Sequence, residues 1–254
     1  MILDAFRLDN KNALVTGSSR GLGAAIALAL AEAGANVGLH GRSPAGEEVC
    51  EPIRKLGRKS FFLGGDVADA SISSALVARA VDEFGSIDIL VNNAGTIRRA
   101  PAAEYSQAFW DELIATNLTS VFRLSQLAGQ NMLLRGAGGK IINTASLLSF
   151  QGGILVPAYA AAKGGVAQLT KALANEWAGR NVQVNAIAPG YISTDNTTAL
   201  RADAVRNTAI LARIPAGRWG EAEDLAGAVL YLSSPASDYV SGTILTVDGG
   251  WMGR

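Results

Sequence analysis

The chain has 254 residues, of which 49% are hydrophobic, and its 22 acidic and 22 basic side chains give no formal net charge. This length suffices for one substantial α/β core, and the balanced charge argues against a nucleic-acid partner. A single cysteine, Cys50, excludes a framework of intrachain disulfides, and a single histidine, His40, excludes a multi-histidine metal site.

The sequence also lacks signals for a membrane or for secretion. Its best apolar run is interrupted by Glu32 and falls short of the ~18 residues that a membrane span needs. Residues 1–10 lack the basic start and apolar core of a secretory signal. We therefore expect a single cytoplasmic domain, residues 1–254, with no metal site and with neither membrane nor nucleic acid as a partner.

The first predicted strand, Asn12 to Thr16, is followed by a glycine-rich turn and then by a helix from Ala24 to Ala33. The turn reads Gly17-Ser18-Ser19-Arg20-Gly21-Leu22-Gly23. Glycine permits a tight turn, and a helix N-terminus offers unpaired N–H groups and a positive dipole end to a phosphate. The spacing differs from the common G-x-G-x-x-G fingerprint. The position between strand and helix nevertheless predicts a phosphate-binding turn.

The second predicted strand, Ala35 to His40, ends without a carboxylate. At this place in dinucleotide-binding folds an acidic residue binds the ribose of NAD, whereas an arginine accommodates the 2′-phosphate of NADP. Here Arg42 follows the strand, and Arg20 and Ser43 are placed to help it. The sequence therefore favours NADP(H) as cofactor, with NAD(H) as the alternative. We expect His40 to make a local contact.

Four further strands are predicted at Ser60 to Gly65, Asp88 to Val91, Lys140 to Ala145 and Val182 to Ile187, with helical stretches between them. Such alternation predicts an α/β fold, a Rossmann-type doubly wound parallel sheet with right-handed crossovers. Open α/β sheets bind ligands beyond the carboxyl ends of their strands. Polar or glycine-rich positions follow all six predicted strands: Gly17, Arg42, Asp66, Asn93, Ser146 and Pro189.

The fifth predicted strand delivers Ser146 at its end, and the helix predicted after Pro157 carries Tyr159 and Lys163 four residues apart. This spacing places both side chains on one helix face. A neighbouring cation favours a phenolate and lowers the tyrosine pKa from about 10 toward neutral pH, where acid–base catalysis is efficient. Ser146 could hydrogen-bond the same substrate oxygen. The alternative is a surface tyrosine and lysine on a solvated helix.

In these motifs the chain resembles the short-chain dehydrogenase/reductase family over essentially its whole length. The resemblance implies that Tyr159 is the general acid/base for hydride transfer and that Lys163 lowers its pKa and holds the nicotinamide ribose. It implies further that Ser146 orients the substrate carbonyl and that Asn117 supports a water-linked proton path. The motifs that carry it are Thr16 to Gly23, Asn92 to Gly95, Asn117, Ser146, Tyr159, Lys163, Pro189 and Gly190.

The same resemblance implies a dinucleotide site along the whole row of strand ends. Asp66 and Val67 would meet the adenine, and Ile192 with Thr194 would hold the carboxamide and pyrophosphate. The implied cofactor-binding residues are Gly17, Ser19, Arg20, Gly21, Leu22, Gly23, Arg42, Ser43, Asp66, Val67, Asn93, Ala94, Gly95, Tyr159, Lys163, Pro189, Gly190, Ile192 and Thr194.

Other segments, among them Ile97-Arg98-Arg99 and the terminal Asp248-Gly249-Gly250-Trp251, are similar to the branch of 2-dehydro-3-deoxy-D-gluconate 5-dehydrogenases, also called 2-deoxy-D-gluconate 3-dehydrogenases. This implies interconversion of keto and hydroxy groups of a deoxy sugar acid. Alternatives are a gluconate 5-dehydrogenase, a reductase of uronate-derived keto acids and an enzyme for acyl-carrier-bound substrates. A dinucleotide-sensing protein without turnover would not need Asn117, Ser146, Tyr159 and Lys163 together.

A sugar-acid substrate would need a cation for its carboxylate, and arginine binds both oxygens. Arg98 and Arg99 follow the Asn-Asn-Ala-Gly turn, and we expect Arg98 to bind the carboxylate and Gln151 a hydroxyl, although either arginine could be a surface or interface charge. We interpret residues 193–216 as a substrate lid, with a fixed helical excursion as the alternative. The small residues after Pro157 and the family resemblance indicate a homotetramer, unless those residues only pack on their own sheet.

Overall fold

The structure is a computed structural model that describes the chain from Met1 to Arg254, apart from the side chain of Asn196. The strands of this described part are β1 (Asn12–Val15), β2 (Asn36–Gly41), β3 (Ser60–Gly64), β4 (Ile89–Asn92), β5 (Gly139–Thr144), β6 (Val182–Pro189) and β7 (Ile244–Val247). They form one parallel sheet in the order β3-β2-β1-β4-β5-β6-β7. The predicted α/β, Rossmann-type doubly wound sheet is confirmed.

The helices between the strands cover both faces of the sheet. They are α1 (Gly21–Glu32), α2 (Gly46–Lys55), α3 (Ala70–Phe84), α4 (Gln107–Ile114), α5 (Ser120–Arg135), α6 (Pro157–Trp177), α7 (Thr198–Ala202), α8 (Ala204–Arg213) and α9 (Ala226–Ser233). One π-helical turn, Ala115–Thr119, joins α4 to α5. Among the described helices, none is long and apolar enough to cross a membrane.

The seventh strand, β7, was missing from the six strands that the sequence predicted. It pairs with the end of β6, with Ala186 opposite Ile244 and Pro189 opposite Val247. Its run of four residues is too short to show a period, and periodicity is the main signal for a strand. The glycines that bound it, Gly242 and Gly249, were the available signal for a short strand between turns.

Helix α1 begins three residues earlier than the predicted start at Ala24. Arg20 has extended backbone (φ −169°) and directly precedes the helix, so Gly21, Leu22 and Gly23 form its first turn. The first turn of a helix has N–H groups without partners inside the helix. The groups suited to a phosphate therefore belong to the glycine-rich sequence itself.

Side chains of each strand alternate between two apolar layers. Leu14 packs with residues of α3, α5 and α6 on one face of the sheet, whereas Ala13 and Val15 pack with residues of α1, α2 and α9 on the other. Each fully buried aliphatic side chain stabilises the fold by about 1.5–3 kcal/mol. These two layers hold the strands in register, and their carboxyl ends open at one edge.

The segment interpreted as a lid, residues 193–216, contains α7 and α8. Its residues Ile210 and Ile214 are buried in a small apolar cluster with Leu147 and Trp251. Asp203 caps α8, because its carboxylate accepts hydrogen bonds from the backbone N–H groups of the helix's first turn. The segment is thus helical and packed near the carboxyl ends of β5 and β6.

A buried polar network ties β4 and β5 to the helices behind them. The Asn92 amide donates to Asn143 Oδ1 (2.9 Å) and to Ser125 Oγ (3.0 Å), and the Asn143 amide donates to Thr170 Oγ1 (2.9 Å). All four side chains are at most 2% exposed. Because a buried polar group without a partner costs about 1–3 kcal/mol, the network favours one relative position of β4, β5, α5 and α6.

We predict that Asn143→Ala lowers the free energy of unfolding by about 2 kcal/mol or more, because it removes a buried side chain and one hydrogen bond from each of Asn92 and Thr170. Urea denaturation followed by circular dichroism measures the change. The control is Gln130→Ala on an exposed position of α5, for which surface statistics give a change within about 0.5 kcal/mol. Equal unfolding midpoints for the two variants would contradict the structural role of the network.

Candidate active site

One cleft of about 590 Å³ runs along the carboxyl ends of the strands. It lies over β1 and β4, where the chain reverses its direction of progress across the sheet, and this reversal point is the usual ligand site of open α/β folds. All nineteen residues predicted to bind a dinucleotide line the cleft. Ser146 lines it as well, so the structure brings the phosphate-binding turn and the acid–base residues Ser146, Tyr159 and Lys163 into one space.

The glycine-rich turn is packed too tightly to hold larger side chains. A Cβ atom on Gly17 would lie 2.8 Å from Ala94 Cα, and one on Gly23 would lie 2.2 Å from the Gly17 carbonyl oxygen. Gly17 also has a φ of +64°, which glycine adopts without strain. A Cβ on Gly21 would meet nothing within 4 Å. The turn is therefore closed on the protein side and open at Gly21, as close approach by a phosphate requires.

Hydrogen bonds from the end of β4 hold this turn in place. The Asn93 amide donates to the carbonyl oxygens of Thr16 (3.1 Å) and Gly17 (3.0 Å). The backbone N–H groups of Asn93 and Ala94 donate to Thr16 Oγ1 (3.0 and 3.1 Å). Asn93 thus supports the turn from the end of β4.

His40 makes local contacts under the same turn, as expected. Its Nδ1 accepts from the Gly17 backbone N–H (3.4 Å), and its Nε2 donates to the Gly65 carbonyl oxygen (3.1 Å). Burial lowers the pKa of the imidazole. The ring is therefore neutral near pH 7, and this tautomer satisfies both partners.

Ser146, Tyr159 and Lys163 come together where β5 meets α6. Ser146 follows β5 and caps a short turn, because its Oγ accepts from the Leu148 N–H (3.2 Å). Lys163 is 4% exposed, and its ammonium donates to the Thr144 carbonyl oxygen (2.5 Å). The same ammonium lies 5.6 Å from the centre of the Tyr159 ring. The two α6 side chains share one face, as their spacing predicts.

The pKa of Tyr159 departs from our expectation. Burial raises the pKa of the phenol above its usual 10.0, while a hydrogen bond with Ser146 and the positive charge of Arg99 act in the opposite direction. Burial also lowers the pKa of Lys163 to about 8. The expected lowering of the Tyr159 pKa by Lys163 is wrong for this structure, because desolvation of the phenol is the largest effect on its pKa.

Asn117 lies in the π-helical turn and is fully buried. Its Oδ1 accepts from the Thr96 N–H (2.9 Å), and its amide donates to the Thr96 carbonyl oxygen (2.8 Å). Asn117 is therefore placed behind the loop that follows Asn93–Gly95, and its neighbour Thr116 lines the cleft. π-Helical turns are common at functional sites. The water-linked proton path stays a prediction.

The substrate residues are placed differently from our expectation. The Arg98 guanidinium makes two hydrogen bonds with the Glu112 carboxylate (2.9 and 3.0 Å) and lies over the Phe109 ring. Among the described residues that line the cleft, neither Arg98 nor Gln151 occurs, whereas Arg99 does. Arg98 is directed away from the cleft because α4 offers it a carboxylate and an aromatic face, neither of which the loop sequence reveals.

The cleft also has lining residues that the sequence analysis did not name. Asp195 is one of them, and its carboxylate pairs with Arg20 Nε (3.0 Å) across the mouth of the cleft. The pairing was not predictable, because it joins the first strand end to the sixth. The others include Gly41, Thr96, Thr116, Thr144 and Thr197. Within the described part of the chain, no group of three or more His, Cys, Asp or Glu side chains is placed to hold a metal ion.

Comparison with known proteins gives a consistent result. The family model for enoyl-(acyl carrier protein) reductases matches residues 17–252. The 2-dehydro-3-deoxy-D-gluconate 5-dehydrogenase of Dickeya dadantii is 52% identical over 255 residues, which cover 100% of both chains.

Solved structures are similar over nearly the whole chain. A candidate 2-deoxy-D-gluconate 3-dehydrogenase of Agrobacterium tumefaciens with bound NADP is 53% identical, with a TM-score of 0.92 over 98% of this chain and 99% of that one. A gluconate 5-dehydrogenase of Burkholderia cenocepacia in complex with NADP and tartrate is 40% identical, with a TM-score of 0.95 over 100% of both chains. Both similarities extend through the cleft and its flanking helices.

We predict that Lys163→Met stabilises the fold, because the native ammonium is buried with one carbonyl oxygen as its hydrogen-bond partner. One pKa unit corresponds to about 1.4 kcal/mol, so lowering the Lys163 pKa from 10.5 to about 8 corresponds to a penalty of roughly 3 kcal/mol. Urea denaturation near pH 7 measures the gain, and a less stable variant would contradict the argument.

The penalty depends on pH in a defined direction. Below the folded pKa of about 8, Lys163 is protonated in both the folded and the unfolded chain, and the whole penalty is present. As the pH rises through about 8, the folded protein releases the proton, and the penalty is gone above the usual pKa of 10.5. The stability difference between Lys163→Met and the native protein should therefore shrink from about pH 7 to about pH 10.

Proposed function

The chain belongs to the short-chain dehydrogenase/reductase family, and from this premise we propose that it interconverts a keto and a hydroxy group of a deoxy sugar acid with NADP(H). The reaction would be of the 2-deoxy-D-gluconate 3-dehydrogenase or 2-dehydro-3-deoxy-D-gluconate 5-dehydrogenase type. The observation that carries the proposal is that the glycine-rich turn and Ser146, Tyr159 and Lys163 all line the same cleft.

The cleft fits a dinucleotide. The first turn of α1 offers N–H groups to the pyrophosphate, and the missing side chains of Gly17 and Gly23 let the turn close behind it. Arg42 and Ser43 at the end of β2 would hold the 2′-phosphate, and Asp66 lies at the neighbouring strand end for the adenosine. When bound, NADP(H) would supply or accept the hydride.

Tyr159 would handle the proton that accompanies the hydride. Its raised pKa keeps the phenol protonated at neutral pH, so it is ready to donate this proton to the carbonyl oxygen as a carbonyl becomes a hydroxyl. Ser146 would hydrogen-bond the same oxygen and orient it. In the oxidation of a hydroxyl the proton moves the other way, from the substrate oxygen to the Tyr159 oxygen.

Two observations support NADP(H) over NAD(H). Arg42 lines the cleft beyond β2, where NAD-binding folds carry a carboxylate. The similar proteins of Agrobacterium tumefaciens and Burkholderia cenocepacia have bound NADP. NAD(H) remains the alternative cofactor.

The substrate class rests on the relatives. The Dickeya dadantii protein, 52% identical over its full length, is a 2-dehydro-3-deoxy-D-gluconate 5-dehydrogenase. A gluconate 5-dehydrogenase is the second candidate, favoured by the TM-score of 0.95 with the Burkholderia cenocepacia enzyme. The absence of any net charge gives no support for docking of an acyl carrier, whose acidic surface would attract a basic patch.

We propose further that residues 1–254 form one cytoplasmic domain, that residues 193–216 close over the substrate, and that the protein is a homotetramer. The start of this segment lines the cleft at Thr194, Asp195 and Thr197, which supports the lid. Trp110 on α4 and Phe122 on α5 are 39% and 44% exposed, which supports a subunit contact on that side.

The first test is a turnover assay that follows the absorbance of reduced nicotinamide. We expect NADP⁺ to be reduced faster with 2-dehydro-3-deoxy-D-gluconate or 2-deoxy-D-gluconate than with D-gluconate, because the Dickeya dadantii relative that acts on the deoxy acid is 52% identical, whereas the Burkholderia cenocepacia gluconate enzyme is 40% identical. Tyr159→Phe should lower turnover by at least ~100-fold, because it removes the transferable proton, while NADPH still binds. A higher kcat/KM for D-gluconate would favour the gluconate 5-dehydrogenase, and normal turnover by Tyr159→Phe would refute the acid–base assignment.

The second test concerns the cofactor. Arg42→Ala should raise the KM for NADP⁺ by roughly tenfold or more, because it removes a charge-assisted hydrogen bond, and should change the KM for NAD⁺ little. The control is Arg54→Ala, which removes an exposed arginine paired with Glu47 on α2. Equal changes for the two cofactors would show that Arg42 does not contact the 2′-phosphate.

A further inference from the structure

His40 is the one histidine of the chain, and the acid–base chemistry proposed above does not use it. Its side chain is 2% exposed and lies near the end of β2, which runs between β1 and β3 in the sheet. From this strand the imidazole contacts the segments that follow both neighbours. Nδ1 accepts from the Gly17 N–H after β1 (3.4 Å), and Nε2 donates to the Gly65 carbonyl oxygen after β3 (3.1 Å).

The contact with Gly17 bears on the whole phosphate-binding turn. The Gly17 N–H donates to the His40 ring, and the Gly17 carbonyl oxygen accepts from the Asn93 amide after β4 (3.0 Å). This carbonyl oxygen also packs against the first turn of α1, because a Cβ atom on Gly23 would lie 2.2 Å from it. A displacement of Gly17 would therefore move the N–H groups of α1 that are suited to a pyrophosphate.

The backbone of His40 holds the same turn by contacts that any residue could make. The Ser18 N–H donates to the His40 carbonyl oxygen (2.8 Å), and the His40 N–H donates to Ser18 Oγ (3.1 Å). These hydrogen bonds attach β2 to the turn without help from the ring. A substitution of His40 therefore removes the contacts with Gly17 and Gly65 while the backbone contacts stay.

The two ring contacts require one form of the imidazole. A carbonyl oxygen only accepts and a backbone N–H only donates, so the ring must carry its proton on Nε2 and leave Nδ1 bare. An imidazolium has two N–H groups and no acceptor. Protonation would thus direct a second N–H at the Gly17 N–H, and it would also place a charge in a buried position.

The charged groups around the ring leave it neutral at neutral pH. Burial is the largest effect on the pKa of His40 and lowers it below 6.5, whereas the Gly65 carbonyl and the Asp66 carboxylate after β3 act in the opposite direction. On the other side of the ring, Arg20 in the turn and Arg42 after β2 line the same cleft. Acidification is therefore needed to disturb the contact with Gly17.

We propose that His40 is a positioning residue for the glycine-rich turn and that only its neutral form gives full affinity for the dinucleotide. The inference rests on the cofactor part of the proposed function, since it requires NADP(H) in the cleft. Acid would weaken cofactor binding through a group that lies away from the reacting atoms. The loss would apply to NAD(H) as well, because both dinucleotides present the same pyrophosphate to the turn.

The test measures the Kd of NADP⁺ by titration calorimetry from about pH 7.5 to about pH 5, the range in which histidine changes its charge. The untagged native protein is compared with His40→Asn, whose side-chain oxygen takes the place of Nδ1 and does not titrate. A phosphate monoester has a second pKa of about 6, so the 2′-phosphate adds the same pH dependence to both proteins. The difference between the two proteins isolates His40.

We expect the Kd of the native protein to rise with acid by about three- to tenfold more than that of His40→Asn, the value of one hydrogen bond. The same difference should appear with NAD⁺. His40→Leu, which has no acceptor, should bind NADP⁺ about three- to tenfold more weakly than His40→Asn at every pH. Equal pH dependence of native protein and His40→Asn, or equal affinity of the two variants, would overturn the proposal.

A second measurement observes the ring directly. Because His40 is the only histidine, ¹⁵N NMR of the imidazole gives its tautomer and its pKa without assignment of other rings. We expect the proton on Nε2 and a pKa below 6.5 in the ligand-free protein. Linkage is reciprocal, so saturation with NAD⁺, which adds no 2′-phosphate charge, should lower this pKa further. A proton on Nδ1, or a pKa that NAD⁺ raises, would contradict the assigned role.

Failure of the proposed function would be visible separately, because the native protein would then bind neither dinucleotide at neutral pH. The role of His40 would still be tested by urea denaturation of the ligand-free protein. Its folded pKa lies below the unfolded value of 6.5, so protonation penalises the fold as the pH falls below that value. The native protein should therefore lose stability with acid faster than His40→Asn, and parallel losses would overturn the requirement for a neutral ring.

Discussion

The site depends on the hydrogen bonds between Asn93 and Thr16, which connect the carboxyl ends of β1 and β4. The strands β1 and β4 are neighbours in the sheet, but the chain leaves them in opposite directions. Without these hydrogen bonds, a gap would lie between their carboxyl ends. The Asn93 amide fills that gap and fixes the Gly17 carbonyl. Because the first turn of α1 starts four residues beyond Gly17, its N–H groups are positioned by the same contacts. Beyond β4, the chain continues into the loop that Asn117 and Leu155 anchor.

The acid–base group is built at a cost in stability. Lys163, with a single carbonyl oxygen as its hydrogen-bond partner, and Tyr159, which lines the cleft, both lose solvation in the folded protein. The surrounding sheet can carry this cost because its core is apolar on both faces and its buried amides, such as Asn143, are hydrogen-bonded. Functional sites often retain such locally unfavourable groups at the expense of stability. The polar network of Asn92, Asn143 and Thr170 holds β5, and with it the Ser146 backbone, in place. The side chains of Tyr159 and Lys163 are meanwhile held where desolvation is unfavourable.

Much of the fold could be predicted, because alternating strands and helices of this length admit few architectures and because strand ends meet along one edge. Residues predicted from that rule, such as Arg42 and Asp66, all line the cleft. The failures have a common physical cause. The direction of Arg98 is set by Glu112 on a helix fourteen residues later, and the pKa of Tyr159 is set by burial, which spacing on a helix does not reveal. β7 was missed because four residues carry too little pattern, although they close the sheet beside β6.

The opposite shifts of the two α6 side chains limit how the site can be charged. With the phenol pKa raised above 10.0 and the lysine pKa lowered to about 8, the site favours a neutral phenol and a weakly held lysine proton. Other charged groups near the site therefore decide the charge states of Tyr159 and Lys163. An anion beside Lys163 would raise the pKa of the ammonium, and a cation near the phenol oxygen would lower the pKa of Tyr159. Arg99 already acts on the phenol in this second way. Burial is the larger effect, and the phenol is therefore protonated at neutral pH, which favours proton donation to a carbonyl over proton removal from a hydroxyl.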